Sequence, residues 1–140
     1  MSERWRVRGI RGAITVRRND AQEIIDATQE LVTEIMKRNE VDPEEIASVI
    51  FTVTQDLDAV FPAVGGRMAG LSGVPLMCAT EIPVPGGQAR CVRVLMHVNT
   101  TKSQAEMQHV YLGEAVALRP DLCNSEASAS VEEGVKEVLD

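Results

Sequence analysis

Along RVRGIRGAITV, residues 6–16, Ile10, Ile14 and Val16 fall on one face and Arg11, Ala13 and Thr15 on the other, the two-residue period of a β-strand. Gly9 and Gly12 would weaken a plain strand and mark close approach of another backbone or of a ligand. The period then changes. Ile24, Ile25, Leu31, Val32, Ile35 and Met36 recur at helical spacing, Asp20 and Glu23 have the spacing of a capping box, and the helix is expected to stop near Asn39. VDPEE at 41–45 opens a short helical turn, with Asp42 as cap and Pro43 at the first helical position. SVIFTVT at 48–54 is a β-branched strand. Pro62 is placed to open a second helix running through Arg67 towards Gly70 or Gly73. VPLMCAT at 74–80 reads as another strand, and the Pro-Gly-Gly turn in VPGGQ at 84–88 predicts a hairpin into a long strand at 90–98. SQAEMQHV predicts a short helix boxed by Ser103 and Glu106, and EAVALR at 114–119 predicts a last strand.

Five strands with helices between some of them predict an α+β fold, a small mixed β-sheet with helices on one face. Several strands are apolar on both sides, so the second face is expected to be covered by neighbouring subunits. The organisation expected is one domain over residues 1–122 and a polar, Ala/Ser/Glu-rich, partly flexible tail over residues 123–140.

Composition narrows the function. A chain of 140 residues suits one domain with a sizeable core. The net charge of −7 and an aromatic content of 3% argue against a nucleic-acid partner, which calls for basic charge and stacking rings. No apolar run approaches membrane-spanning length and MSERWRVRG has no apolar signal core, so no membrane association and a cytoplasmic location are expected. Cys78, Cys91 and Cys123 form neither a disulfide framework nor a metal-binding pattern. No GxSxG, P-loop, HExxH or GxGxxG motif is present, and His97 and His109 are read as structural.

Charged residues inside strands are the positive signal. Arg93 interrupts the apolar run VRVLMHV, and Arg8 and Arg11 interrupt the first strand. An isolated strand arginine usually lays its stem along the sheet and points its head to water. Taken together, Arg11, Arg67, Arg93 and Arg119 could converge on one anion, because guanidinium groups grip carboxylates in a two-pronged fashion. Glu81 could accept a hydrogen bond from a hydroxyl or face a developing positive charge, Tyr111 could add a hydroxyl donor, and Cys78 fits a pocket wall better than a nucleophile's role. An arginine-rich site with one carboxylate, and with no nucleophile or metal, suits a small polycarboxylate whose reaction needs positioning and electrostatics.

RGIRGAITV, DLDAVFPA, CATEIPVPGG leading to CVRVLM, and HVYLGEAVALRPDL together resemble the AroH-type monofunctional chorismate mutases, in the same order over about Arg8 to Leu122. The resemblance implies a homotrimer, a trimeric pseudo-α/β-barrel with active sites at the subunit interfaces. It implies the Claisen rearrangement of chorismate to prephenate in the shikimate-pathway branch to phenylalanine and tyrosine, with no cofactor or metal. It also assigns roles. Arg93 would bond the substrate's ether oxygen, Arg11 a carboxylate, Glu81 the ring hydroxyl and Tyr111 a carboxylate. Cys78 would lie near the hydroxyl. Phe61, Ala63, Leu76 and Leu118 would form apolar walls, and Arg67 and Arg119 would stand at the mouth. The chain departs from the best-known members at Val64, where they carry a lysine, and at Met77, where they carry a threonine. Both departures bear on contacts to the substrate at the rim, so Met77 joins the substrate-binding set. Three other readings are open at this point. They are a trimeric Rid-type imine deaminase, a non-catalytic sensor of a carboxylate metabolite, and a structural oligomer whose strand arginines pair with Asp56, Asp58 or Glu114.

Overall fold

Alternation of buried and open positions builds β1 (Arg6–Thr15), where Ile10, Gly12 and Ile14 turn inward and Arg11 and Thr15 stay half-buried on the other side. The computed structural model describes residues 4–117. α1 (Ala21–Asn39) follows, started by Asp20, whose side chain accepts the Glu23 N–H at 3.0 Å. The reciprocal half of the expected box is absent: Glu23 Oε1 accepts the N–H groups of Arg17 and Arg18 instead. Ile24, Leu31, Val32 and Ile35 are fully buried under β1 and its neighbours. Gly12 permits that close seating, since a Cβ there would meet Ile35 Cδ1 at 2.8 Å and the Val110 carbonyl oxygen at 3.0 Å. At the far end of α1 the buried Asn39 donates to the Ile35 and Gln108 carbonyls and accepts the Gln108 N–H at 2.7 Å, tying the helix to the segment before β5.

A 3₁₀ turn at Pro43–Glu45 leads into β2 (Ile46–Val53). α2 (Ala63–Gly66) begins after Pro62 and runs into a wider helical turn over Arg67–Leu71, close to the extent expected. β3 (Leu76–Thr80), β4 (Cys91–Thr100) and β5 (Val110–Leu112) complete a five-stranded sheet in the order β3-β2-β4-β1-β5. β4 is antiparallel to both neighbours, and the β1–β5 and β2–β3 pairs are parallel. The fold is therefore α+β with a mixed sheet, as the sequence predicts.

Two strand expectations fail. The Val84–Gly87 turn is present, with the Gly87 N–H on the Val84 carbonyl at 3.0 Å, but it does not close a hairpin. β2 lies between β3 and β4. The residues between β2 and β3, α2 among them, form a crossover long enough to lay β3 parallel beside β2, and β4 pairs with the other edge of β2 rather than with β3. The strand expected at 114–119 is also not found over its described part, 114–117. The strand is instead Val110–Leu112, and Gly113–Ala117 form a 3₁₀ turn. Gly113, at φ +63°, ends the strand, and Thr15 Oγ1 then accepts the Glu114 N–H at 3.0 Å. Only three residues pair in β5, too few for an alternation to show. The helix expected at SQAEMQHV is one turn, Gln104–Glu106, with the Ser103 N–H on Glu106 Oε1 at 2.7 Å. Leu118, Arg119, Cys123 and the tail at 123–140 lie outside the described residues.

Candidate active site

The sheet has two unlike faces. Val49, Phe51, Val53, Val92, Val94, Met96 and Val98 join the α1 side and form the main core. On the other face one line of residues crosses all five strands in register: Ala79, Thr52, Arg93, Ala13 and Tyr111. Period-two alternation puts Arg11 and Leu95 beside this line. A small separate cluster, Ala13, Cys91, Tyr111 and Ala115, buries one end of it, and Tyr111 is only 6% exposed.

Arg93 and Glu81 form the centre. Arg93 Nε donates to Glu81 Oε2 at 3.0 Å and Nη2 donates to Oε1 at 2.6 Å, a two-pronged pair with side-chain exposures of 21% and 18%. Thr52 Oγ1 also donates to Glu81 Oε2. The Glu81 N–H bonds the Val53 carbonyl at 2.8 Å, extending the β2–β3 ladder by one step and fixing the residue's backbone. Burial pushes the Glu81 carboxyl upward. The hydrogen bonds from Arg93 and Thr52 and the charges of Arg93 and Arg11 outweigh this and hold it below the usual carboxylate range. Arg11 is therefore close enough for its charge to act on Glu81. Its backbone N–H donates to His109 Nδ1 at 2.9 Å across the β1–β5 pair.

The structure thus gathers Arg11, Arg93, Glu81 and Tyr111 on one face. The other candidates are placed differently. Cys78 is registered opposite Phe51 and, with Leu76, packs against the main core. Ala63 is buried in that core as well. Phe61, Arg67 and Met77 are exposed, Phe61 at 72% and Met77 at 69%. Arg8 bonds the Lys102 carbonyl through Nε at 3.0 Å, and His97 shares a hydrogen bond with Ser48 Oγ at 3.1 Å. Thr52 is the residue that sequence reasoning missed. A signal was available: Ile50, Thr52 and Thr54 alternate with the apolar Val49, Phe51 and Val53, which puts the Thr52 hydroxyl on the face away from the core.

Among the described residues no group of three or more His, Cys, Asp and Glu side chains is gathered as a metal ion needs, and no helix is long and apolar enough to cross a membrane. The arrangement offers fixed positive charge and one oriented carboxylate to an anionic substrate, the equipment of electrostatic catalysis.

Comparison with known proteins agrees with this chemistry. Residues 7–122 match the family model of chorismate mutase type I. Chorismate mutase AroH of Thermus thermophilus is 51% identical over 117 residues, 83% of this chain and 96% of that protein. Chorismate mutase AroH of Bacillus subtilis is 44% identical over 117 residues, 83% of this chain and 92% of that protein. A solved chorismate mutase from Clostridium thermocellum superposes with a TM-score of 0.77 at 49% identity, over 79% of this chain and 98% of that one. The α+β sheet, the family match and these relatives lead to one conclusion: the chain belongs to the type I chorismate mutase family.

Proposed function

We propose that the Arg93–Glu81 pair is the catalytic centre at which this chorismate mutase converts chorismate to prephenate. The activity, and its place in aromatic amino acid biosynthesis, come with family membership. The reaction is unimolecular: one C–O bond breaks, one C–C bond forms, and no proton transfer or covalent intermediate is needed. Chorismate must leave an extended conformer for a chair-like one, and clamping its carboxylates supplies that orientation. In this reading Arg11 and Tyr111 hold carboxylate oxygens and Arg93 donates to the ether oxygen, where negative charge grows as the bond breaks. Glu81 accepts from the ring hydroxyl. Arg93 raises the rate because its bond is stronger in the transition state than in the ground state. The observation that carries this is the two-pronged Arg93–Glu81 pair, which presets the guanidinium plane before substrate arrives.

The remaining roles belong to the same proposal. Phe61, Met77 and Arg67, exposed on one protomer, become pocket wall and mouth when a neighbouring subunit packs beside them. By the family resemblance, Leu118 is assigned to the apolar wall and Arg119 to the mouth. Cys78, Leu76 and Ala63 support the wall from the core side. The assembly is a homotrimer with the active sites between subunits. The sheet face away from α1 supports this, because Val7 at 56% and Leu95 at 37% exposure leave it open to a partner. The catalytic domain is residues 1–122, and the protein acts in the cytoplasm without cofactor or metal.

The test is chorismate consumption followed by ultraviolet absorbance, with prephenate converted to phenylpyruvate by acid. Arg93→Ala is expected to lower kcat by ~100–1,000-fold or more while the protein stays folded, the loss seen when one preorganised donor is removed. A near-parent rate in that variant overturns the assignment. Prephenate binding without turnover in the parent would favour the sensor reading instead.

A further inference from the structure

Thr52 sits in mid-β2 on the face away from α1, in register with Arg93 on one side and Ala79 on the other. Its hydroxyl donates to Glu81 Oε2, the oxygen that also accepts Arg93 Nε–H; Oε1 accepts Arg93 Nη2–H. A carboxylate oxygen offers about two lone-pair sites. Oε2 is therefore filled by Thr52 and Arg93, and Oε1 keeps capacity for one further donor. With the Glu81 backbone held by the Val53 carbonyl, the Thr52 bond settles which oxygen keeps an open acceptor site.

We infer that Thr52 is a positioning residue for the rearrangement. It occupies Glu81 Oε2 so that Oε1 is the atom presented to the substrate's hydroxyl, and it keeps the carboxylate coplanar with the Arg93 fork. The inference rests on the reading of Glu81 as the hydroxyl-binding group. The competing account makes Thr52 a strand former only, a role valine fills equally well. Geometry separates the two accounts. Valine preserves the shape but leaves a half-buried carboxylate oxygen one donor short.

The experiment compares Thr52→Val, Thr52→Ser and Glu81→Gln with the parent, measuring kcat and KM for chorismate across pH. Loss of a hydrogen bond to a charged group predicts that Thr52→Val loses ~10–100-fold in kcat/KM, with kcat falling rather than KM alone rising. Its acidic limb is expected at higher pH than the parent's, because the carboxylate has lost a bond that favours its ionised form. Thr52→Ser restores the hydroxyl and is expected to restore both readouts. A Thr52→Val enzyme within about twofold of the parent, with an unmoved acidic limb, overturns the inference. So does a Thr52→Ser enzyme as impaired as Thr52→Val, which would point to packing. If Thr52→Val does not fold, Thr52→Ala against Thr52→Ser makes the same comparison. The Glu81→Gln arm separates the two levels of the reading. If it is impaired while Thr52→Val is not, the Thr52 inference fails alone; if it is unimpaired, the role given to Glu81 fails and the Thr52 inference falls with it.

Discussion

Arg8, Arg11 and Arg93 interrupt strands in the same way, yet they reach different ends. Arg8 ties down a carbonyl, Arg11 lends its charge to Glu81, and Arg93 grips Glu81 directly. The sequence marks all three as out of place but does not separate them, because the Arg8 partner is 94 residues away and depends on the closed sheet. Arg93→Lys is expected to be nearly as poor as Arg93→Ala in the chorismate assay, since an ammonium cannot reproduce the planar fork. The ion pair also makes stability depend on pH. The folded-state carboxyl of Glu81 lies below its unfolded value, so the stabilisation is complete above the unfolded value of about 4.3 and is lost as pH falls through the folded one. The gap in urea midpoint between the parent and Glu81→Gln is therefore expected to narrow on acidification below about pH 4.3. A gap that is unchanged there would mean the pair contributes nothing to folding.

Elements with long alternation or helical spacing were legible, and those whose identity depends on a partner were not. α1 could be read from its buried stripe and its cap, and β2 from its β-branched run. β5 has three residues and exists because β1 offers it a parallel edge, which local sequence does not reveal. The hairpin expectation failed for a related reason: a turn signal says that the chain reverses, and does not say which strand receives it. Contact between α1 and α2 sets a further requirement. A Cβ on Gly65 would lie 2.6 Å from the Ile25 carbonyl oxygen and 2.8 Å from Thr28 Cβ, so the two helices meet there without a side chain between them. Gly65→Ala is expected to cost ~1–3 kcal/mol by urea unfolding, because helix backbone must give way. Gly73→Ala, with nothing within 4 Å of the added atom, should stay within ~0.5 kcal/mol. If both cost the same, close helix approach is not the cause. Asp20→Ala removes the one side-chain cap of α1 and should cost about 1 kcal/mol on the same measure.

For the whole molecule, the unequal sheet faces connect stability to activity. One face carries the core, and the other carries the proposed catalytic pair beside apolar residues left open in the single chain. Leu95→Glu, on that open face and registered opposite Arg11, is expected to dissociate the proposed trimer in sedimentation experiments and to abolish turnover together with assembly. An active monomer would refute the shared site. Apolar strands on both faces are the sequence feature on which the proposed trimer rests. The grouping of Arg11, Glu81, Arg93 and Tyr111 was raised from the sequence, and the addition of Thr52 was not, because strand order sets it beside Arg93. That order also bears on how the enzyme comes into being. β1, made before the other described strands, is an interior strand, and both of its neighbours, β4 and β5, come from the last third of the described chain. At a synthesis rate of ~5–20 residues per second, it waits several seconds or more with both edges unpaired. Arg11 is thus among the first residues of the site to be made and among the last to be set in place, and the nascent chain spends that interval with a ten-residue strand segment open to other molecules.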